Sequence, residues 1–156
     1  GVKYLGYSFY VSKGKCQLTV HPKSKAKMKA RLKELTSRSN GWGYAKRKQK
    51  LKEYIRGWVG YYHLANMKRL LQETDEWLRR RIRMCIWKSW KRVKTRIVNL
   101  VRCGMDKYRA YMWGNSRLGY WRIANSPILA KAIDNDSLRK AGYVTLMGSF
   151  LEWHPK

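Results

Sequence analysis

The stretch from Asp75 to Arg96, DEWLRRRIRMCIWKSWKRVKTR, carries two different patterns at helical spacing. At 100° per residue, one face collects side chains suited to a core: Leu78, Ile82, Cys85, Ile86, Ser89 and Val93. The other face collects the cations Arg80, Arg81, Arg83, Lys88, Lys91, Arg92 and Lys94, together with Trp77, Met84 and Trp87. We therefore predict an amphipathic helix with one buried face and one basic face suited to contact a ligand.

Trp77 and Trp87 lie on the basic face and allow two interpretations. In the first, both pack against another helix, because aromatic side chains in helices are commonly core residues. In the second, Trp87 stacks on a base or sugar between the phosphate-binding Arg83 and Lys94. Both stay open from the sequence. The cations are more informative, because so many like charges on one helix face repel each other unless a polyanion neutralises them.

Charge is the second constraint. The 156 residues include 36 Lys and Arg against 9 Asp and Glu, a formal charge of +27, while 44% of them are hydrophobic, which is enough for a folded core. The excess is uneven, since residues 1–105 hold 28 basic and 5 acidic side chains. A fold of this size does not need such a charge, and neutralisation of nucleic-acid phosphates explains it most simply.

A membrane surface is the competing polyanion. The sequence has no apolar run of transmembrane length and no signal peptide, and its basic residues are spread over several segments, so we expect no membrane partner.

Cys16, Cys85 and Cys103 form no CxxC or Cys/His spacing, which predicts reduced thiols in an intracellular protein instead of a disulfide framework or a zinc site. The three histidines are expected to be structural or surface residues.

The N-terminal residues predict a β-hairpin followed by a helix. Residues 4–11 and 16–21 alternate in side-chain type around a Gly-containing turn, and because a lone hairpin is marginally stable, it should lie against helices or belong to a larger sheet. From about 25 to 37, a helix is predicted by the spacing of Met28, Leu32 and Leu35. Ser24 is its predicted N-cap. Its surface would carry Lys23, Lys25, Lys27, Lys29, Arg31 and Lys33.

A second helix is predicted over about 45–66, after a break at Asn40, Gly41 and Gly43. Its apolar stripe consists of Leu51, Tyr54, Ile55, Trp58, Val59 and Tyr62. Gly57 and Gly60 lie nearly opposite this stripe, where each costs roughly 1 kcal/mol relative to Ala, so we expect a packed helix or an RNA backbone to come close there. The basic run that opens the helix is either a solvated face or part of the basic surface: Lys46, Arg47, Lys48, Lys50 and Lys52.

A third helix is predicted to begin at the acidic cluster Glu73, Asp75 and Glu76, because acidic side chains and the Thr74 hydroxyl suit the positive end of a helix dipole. Three helices with short connections predict a bundle. The fold class that we expect is mainly α. It comprises a β-hairpin at 1–22, a helical bundle at 23–104 ending at Gly104, and a small C-terminal helical module at 105–156.

The C-terminal module is predicted to consist of short helices and turns. A helix is expected over 106–113, a turn over 114–119, and an aromatic segment over 120–123. Ser126 is a predicted N-cap with Pro127 at the first helical position. Asn135 or Asp136 is predicted to cap a further short helix that Gly142 ends.

Several stretches together resemble one protein family. YLGYSFYVSKGKCQLTVHPKSK, YIRGWVGYYHLA and TDEWLRRRIRMCIWKSWKR are similar to the end of the palm and the following thumb, or maturase X, domain of bacterial group II intron reverse transcriptases. WGNSRLGYWRIANSPIL resembles the segment that follows the thumb in the same proteins. The resemblance spans nearly the whole chain, so its implications for function extend to both ends.

The resemblance implies a helical thumb that grips an RNA template with its DNA primer and binds group II intron RNA to support splicing and intron mobility. The tail would lie where such proteins carry a DNA-binding segment, which makes target DNA a further partner, and the location implied is the bacterial cytoplasm. We expect nucleic acid to contact Lys23, Lys25, Lys27, Lys29, Arg31, Lys46, Arg47, Lys48, Lys50, Arg56, Arg79, Arg80, Arg81, Arg83, Trp87, Lys88, Lys91, Arg92, Lys94, Arg117 and Arg122.

Catalysis is not expected from this chain. Reverse transcription needs carboxylates that hold two divalent ions, and the family's Tyr-x-Asp-Asp signature is missing, so Mg²⁺ is expected only in the parent polymerase. A Cys/His-rich endonuclease module is not seen either. Asp134 and Asp136 are closely spaced, but Asp-Asn-Asp before Ser-Leu is better explained as a turn and a helix cap. Because the chain opens at Gly1 within a predicted strand, we expect a piece of a longer protein.

Two other functions remain open at this point. One is a free-standing basic RNA-binding or ribosome-associated protein, which would share the charge pattern but not the family. The other is a compact metal-dependent nuclease that uses Asp134 and Asp136.

Overall fold

The computed structural model describes residues 3–155 and shows a mainly α-helical chain that opens with a three-stranded antiparallel sheet. The strands are β1 (Lys3–Tyr4), β2 (Tyr7–Ser12) and β3 (Lys15–Val20), in the order β1-β2-β3. The helices of the described residues are α1 (Pro22–Leu35), α2 (Tyr44–Tyr62), α3 (Lys68–Ser89), α4 (Val93–Arg102), α5 (Lys107–Gly114), α6 (Tyr120–Ala124), α7 (Pro127–Ala132), α8 (Asn135–Lys140) and α9 (Leu146–Trp153). The predicted fold class, mainly α with an N-terminal hairpin, is confirmed. Gly1, on which the expectation of an excised piece rests, lies outside the described residues.

Two tight turns shape the sheet. Leu5 and Gly6 have φ of 52° and 86°, and Lys13 and Gly14 have φ of 53° and 74°, as the two central residues of a type I′ hairpin turn require. The second turn joins β2 to β3, whose register runs from Tyr7↔Val20 to Ser12↔Lys15. The first turn divides the strand predicted over 4–11 into β1 and β2, because two successive residues with positive φ reverse the chain.

The chain forms two compact units. Unit 1 contains the described residues of Gly1–Leu35, Trp42–Trp77 and Tyr143–Lys156, and unit 2 contains Thr36–Gly41 and Leu78–Gly142. These units do not coincide with the segments predicted at 1–22, 23–104 and 105–156, since the last helix belongs to unit 1 and α3 contributes residues to both.

Helices α1 and α2 form the core of unit 1 through the predicted apolar stripes. Buried side chains include Met28, Leu32, Leu35, Leu51, Ile55, Trp58 and Val59. The prediction that Ser24 caps α1 is wrong, because the helix begins at Pro22. His21 precedes it, and its ring Nδ1 accepts the Lys23 N–H at 3.1 Å. The buried Ser24 hydroxyl instead donates to the carbonyl of Gly6, 2.9 Å away.

The last helix of the chain packs on α2. A Cβ at Gly60 would lie 3.5 Å from the ring of Trp153 on α9, an ordinary van der Waals contact, whereas a Cβ at Gly57 would meet nothing within 4 Å. The expected close approach is therefore confirmed at Gly60 only, and the element that approaches is a helix of the same unit. His63, just after α2, stacks on Trp153 with ring centroids 4.2 Å apart.

The acidic cluster does not start α3. That helix begins at Lys68, so the predicted cap residues lie inside it. Glu73 is exposed and pairs with Arg69 one turn earlier, with an N–O distance of 3.1 Å. Asp75 is buried, and its carboxylate accepts the backbone N–H groups of Leu146 and Met147 at 2.8 and 2.9 Å. The prediction failed because Asp75 serves a different helix: it satisfies two amides in the first turn of α9, 71 and 72 residues away.

Replacing Asp75 by Ala should lower the free energy of unfolding by about 1 to 3 kcal/mol, because two amides of α9 lose a buried acceptor. Hydrogen exchange at Leu146 and Met147 should become faster. Glu73→Ala is the matched control, since that exposed carboxylate should contribute within about 0.5 kcal/mol. Equal losses from the two variants, measured by urea denaturation, would contradict a capping role for Asp75.

The predicted helix over 75–96 is broken. Trp90 N–H donates to the carbonyls of Ile86 and Trp87 at 3.3 and 3.2 Å, the Ser89 hydroxyl also bonds to the Ile86 carbonyl, and Arg92 is extended before α4 begins. Competition between a serine side chain and the helical backbone favours such an end. The predicted stripe therefore holds for Leu78, Ile82 and Cys85, which are buried, but not for Ser89 and Val93, which are exposed.

One predicted cap of the C-terminal helices is confirmed and one is wrong. The Ser126 hydroxyl accepts the Leu129 N–H ahead of Pro127 in α7, as predicted, and Asp106 caps α5 at the start of the helix predicted over 106–113. The cap of α8 is Asp134, not Asn135 or Asp136, because Asp134 is the extended residue whose carboxylate reaches the Ser137 N–H at 2.8 Å. Gly142 follows with φ of 102°. None of the helices within residues 3–155 is long and apolar enough to cross a membrane.

Candidate nucleic-acid interface

Helix α1 displays lysines on both sides of its buried stripe. Because Ser24, Met28 and Leu32 face inward at a spacing of four residues, the positions before and after each of them flank the core. Lys23, Lys27 and Arg31 lie on one flank and are exposed, although Arg31 bonds to Glu34 at 2.8 Å. On the other flank are Lys25, which is half-buried, and Lys29, whose ammonium lies 4.9 Å from the centre of the Trp77 ring.

The basic run that opens α2 divides between surface and core. Lys46, Lys50 and Arg56 are exposed, and Lys48 is half-buried. Two of these cations also lie over aromatic rings, Lys46 over Trp42 at 5.1 Å and Lys48 over Tyr143 at 5.4 Å.

Arg47 is buried, so the expectation that it contacts nucleic acid is wrong for this fold. Its guanidinium donates to the carbonyls of Leu35 at 2.9 Å and Trp42 at 3.3 Å. Leu35 is the last residue of α1, and its carbonyl has no partner within that helix. A cation at the negative end of α1 is also favoured by the helix dipole. Arg47 therefore stabilises the connection between α1 and α2 by bonding to a carbonyl near each of its ends.

In unit 2, Arg80 and Arg81 are only half-exposed. Arg80 donates from Nε and Nη2 to the carbonyl of Trp121, at 3.1 and 2.8 Å, and its guanidinium carbon lies 3.6 Å from the Trp121 ring centre. Partial burial lowers the pKa of Arg80. Arg81 donates to the hydroxyl and the carbonyl of Thr36, both at 3.1 Å. The guanidinium groups of Arg80 and Arg81 therefore form hydrogen bonds within the protein. Arg79, on the same helix, is also half-buried.

Arg83 was also expected to contact nucleic acid, and that expectation is wrong for this fold. Its side chain is buried and donates to the Ile133 carbonyl at 2.7 Å and to Oδ1 of Asn135 at 2.8 Å, at the junction of α7 and α8. Burial lowers the pKa of Arg83, and the neighbouring Arg79 lowers it further, while Asp134 opposes both effects. An arginine nevertheless stays charged at neutral pH. The charge is used to hold two helix ends together and is not presented to a ligand.

Trp87 was also expected to contact nucleic acid, and the structure instead supports the interpretation in which it is a core residue. Its side chain is only 2% exposed, and its ring lies 5.9 Å from that of Trp90. The Arg96 guanidinium covers the ring at 4.7 Å. Met84 on the same face is also buried. Arg96 lies beyond the break after Ser89, and it reaches back over this face while its Nε donates to the Trp90 carbonyl at 2.8 Å.

The predicted contact residues of unit 2 that are exposed lie at the α3–α4 connection and in the tail. Lys91, Arg92 and Lys94 are exposed, while Lys88 is half-buried and donates to the carbonyl of Arg38. Arg117 and Arg122, the two tail residues expected to bind, are also exposed. These five residues stay candidates for contact.

Helix α5 has an exposed aromatic face that was not predicted from the sequence. Tyr108, Tyr111 and Met112 are 73%, 63% and 53% exposed, and Lys107 and Arg109 flank them. The helix turns its opposite side to α4, where a Cβ at Gly114 would come within 2.7 Å of Ile97. The i, i+3, i+4 spacing of these three residues was visible in the sequence, but it is equally typical of a buried stripe.

Asp134 and Asp136, the two aspartates considered as metal ligands, bond to nearby residues of the chain. Hydrogen bonds from Ser137 lower the pKa of Asp134, and hydrogen bonds from Arg139 and Lys140 lower that of Asp136. Asp136 lies 3.0 Å from the Lys140 ammonium. Both carboxylates therefore fit helix capping and ion pairing, and they do not fit a two-metal site. Within residues 3–155, no three His, Cys, Asp or Glu side chains are grouped so that they could hold a metal ion.

The chain is thus a mainly α-helical, strongly basic protein whose surface cations lie on two compact units. Residues 25–104, from α1 to just past the end of α4, match the family described as group II intron, maturase-specific domain. Because the matched segment is half of the chain, the protein belongs to this family. None of the curated proteins matches the chain.

Family membership confirms the resemblance seen in the sequence for the C-terminal maturase, or thumb, region of a group II intron reverse transcriptase. It assigns the chain a maturase-related function in group II intron splicing and an association with group II intron RNA. The maturase-specific domain is a non-catalytic domain. The match does not include the hairpin or the residues after 104.

Proposed function

We propose that the chain grips group II intron RNA, and an RNA template with its DNA primer, through exposed cations on α1, α2 and the α3–α4 connection. Through these contacts it supports splicing, reverse transcription and intron mobility in the bacterial cytoplasm. Mg²⁺ then acts in the catalytic palm of the parent polymerase and not in this chain. The observation that carries the proposal is the outward placement of cations within a maturase-specific domain, namely Lys27, Lys46, Lys50, Arg56, Lys91, Arg92 and Lys94, with Lys23 exposed just before it.

The charge balance supports a polyanionic ligand. With 36 basic and 9 acidic residues, at least 27 cations would lack an acidic partner even if every acid formed one ion pair. Net charge of this size destabilises a compact state through self-repulsion. Phosphate groups relieve that repulsion and release counterions when they bind, which favours association with any nucleic acid.

Arginine and lysine have separate roles in this proposal. Arg47, Arg80, Arg81 and Arg83 bond to backbone carbonyls of the protein, so their forked guanidinium groups stabilise connections between helices. The exposed cations are mainly flexible lysines, which act as point charges for phosphates. Binding through them should depend little on base sequence.

The tail supplies the proposed contact with target DNA. Arg117 and Arg122 are exposed there, and the exposed face of α5 adds Tyr108, Tyr111 and Met112 beside further cations. Aromatic side chains with flanking cations are typical of nucleic-acid surfaces. This part of the proposal rests on the tail's resemblance and exposure, since the family match ends at Gly104.

The proposal is tested by removing four charges from α1 and α2. The variant carries Lys23→Gln, Lys27→Gln, Lys46→Gln and Lys50→Gln. Each lost phosphate contact should reduce the slope of log K against log salt by about 1, so the variant should bind intron RNA and template–primer with a slope shallower by about 4. Fluorescence polarisation over a salt series measures that slope.

A matched variant removes four exposed lysines that are not in the proposed surface. It carries Lys13→Gln, Lys15→Gln, Lys68→Gln and Lys131→Gln. Its slope should stay within about 1 of the unmodified chain. Equal losses from the two variants would show that net charge alone drives binding, and a failure of the unmodified chain to bind either RNA at 50 mM salt would refute the proposed function.

A further inference from the structure

Unit 1 contains a groove in which aromatic rings and lysines face the same space. It encloses about 400 Å³, within the range of small-molecule binding sites. The first hairpin turn, α1 and α2 form its walls. Its lining includes Lys23, Lys27, Tyr54, Trp58, Tyr61 and Tyr62.

Tyr61 combines exposure with a fixed position. Its side chain is 52% exposed, yet its hydroxyl donates to the carbonyl of Leu5 at 2.7 Å. The Tyr7 hydroxyl in turn donates to the carbonyl of Tyr61. An exposed ring ordinarily keeps its rotamer freedom and loses it on binding. Since Tyr61 is already held, it forms a preorganised flat surface at the groove.

The remaining rings form the base of the groove. The ring centroids of Trp58 and Tyr62 are 4.6 Å apart. The rings of Tyr62 and Tyr61 are arranged edge-to-face, with their centroids 4.7 Å apart. Gly6 allows this packing, because a Cβ there would lie 2.2 Å from the Tyr62 hydroxyl oxygen and because its φ is 86°. Burial raises the pKa of Tyr54, against the effect of Arg31, so its phenol stays neutral at physiological pH.

The charge at the groove is positive. Lys23 and Lys27 are one helical turn apart on α1, and both are exposed at its edge. The groove residues in the described part of the chain include no acid. Rings that can stack, next to ammonium groups that can bind phosphate, are the combination that proteins use for unpaired nucleic-acid strands.

We propose that this groove binds one unpaired nucleotide of an RNA strand, with its base against Tyr61 and its phosphates at Lys23 and Lys27. The inference rests on the proposed RNA-binding function and adds the kind of RNA feature recognised. A base inside a duplex has both faces covered by neighbouring pairs, whereas a bulged or loop base can be turned out and stacked on a protein ring. The groove therefore distinguishes bulges and loops from continuous duplex.

The test compares two RNA hairpins that differ by a single bulged adenosine. Fluorescence polarisation with the 156-residue chain at one fixed salt concentration should show tighter binding to the bulged hairpin. Tyr61→Leu should weaken binding of the bulged hairpin by about 5- to 150-fold and that of the paired hairpin by less than about twofold. Tyr61→Phe, which keeps the ring, should retain a preference for the bulge.

Tyr44→Leu is the matched control. Tyr44 is 45% exposed at the other end of the same helix, about 25 Å away along its axis, and should leave both affinities unchanged. Equal binding of the two hairpins by the unmodified chain, or an equal loss for both hairpins in Tyr61→Leu, overturns the groove proposal while leaving RNA binding intact. Absence of binding to both hairpins refutes the proposed function itself.

A second measurement does not depend on a variant that folds. A 5-iodouridine placed at the bulge should, on irradiation, crosslink to the tryptic peptide of residues 57–68, which carries Trp58, Tyr61 and Tyr62. Mass spectrometry identifies the peptide. A crosslink found only on peptides outside the groove overturns the proposal.

Discussion

The affinity of the chain for group II intron RNA should fall about 10³- to 10⁵-fold between 50 and 200 mM salt. This range corresponds to 6 to 10 phosphate contacts, since each neutralised phosphate releases condensed counterions from the RNA. The exposed cations are sufficient in number: Lys23, Lys27, Lys46, Lys50, Arg56, Lys91, Arg92 and Lys94 all carry exposed side chains. The measurement is a dissociation constant at several salt concentrations.

The same series separates this mechanism from specific recognition. An RNA of unrelated sequence should show nearly the same slope, because phosphate contacts carry no sequence information. A dissociation constant that hardly changes over this range would mean that few phosphates are contacted, and the basic surface would then need another explanation.

Trp87→Ala should lower the free energy of unfolding by about 3 to 5 kcal/mol, because the ring is 2% exposed and its removal leaves a cavity. For a chain of this size, that corresponds to a melting temperature lower by about 6 to 20 °C. A typical domain has only about 5 to 15 kcal/mol of stability, so the loss is severe. Thermal unfolding followed by circular dichroism measures it.

The companion measurement is RNA affinity at a temperature where the variant is still folded. It should match that of the unmodified chain, because the buried ring does not touch the ligand. Tyr108→Ala is the control for stability, since that ring is 73% exposed and should change the melting temperature little. An affinity reduced about 5- to 150-fold with an unchanged melting temperature would instead restore the contact interpretation of Trp87.

Local signals were enough for much of unit 1. The Lys13–Gly14 turn lies between two alternating segments, and its positive φ values are those that a tight hairpin needs. The inward positions Met28, Leu32, Leu51 and Ile55 follow from helical spacing, because burial of an apolar stripe is decided within a few turns of one helix. In unit 2, the caps Asp106 and Ser126 bond to amides three residues away, so their signal is also local.

Which cations lie on the basic surface could be predicted from the sequence for lysines but not for arginines. A lysine flanking an apolar stripe is placed at the surface by the same helical geometry, and Lys23, Lys27 and Lys50 are indeed exposed. An arginine in the same kind of position has a second option, since its guanidinium can donate to several backbone carbonyls at once. Arg47 and Arg83 take this option, and nothing in their immediate sequence distinguishes them from the exposed cations.

Composition and periodicity by themselves determined the fold class, the helical stripes and the excess of positive charge, because each of these depends on residue type and short-range spacing. Tertiary structure alone decided the roles of Asp75, Arg83 and Trp87. Asp75 meets amides more than 70 residues away, Arg83 meets a carbonyl 50 residues away, and the Trp87 ring is covered in part by Arg96, which lies beyond the break after Ser89. The partners of a buried polar group are set by which distant segments lose their water together, and that is a property of the folded chain.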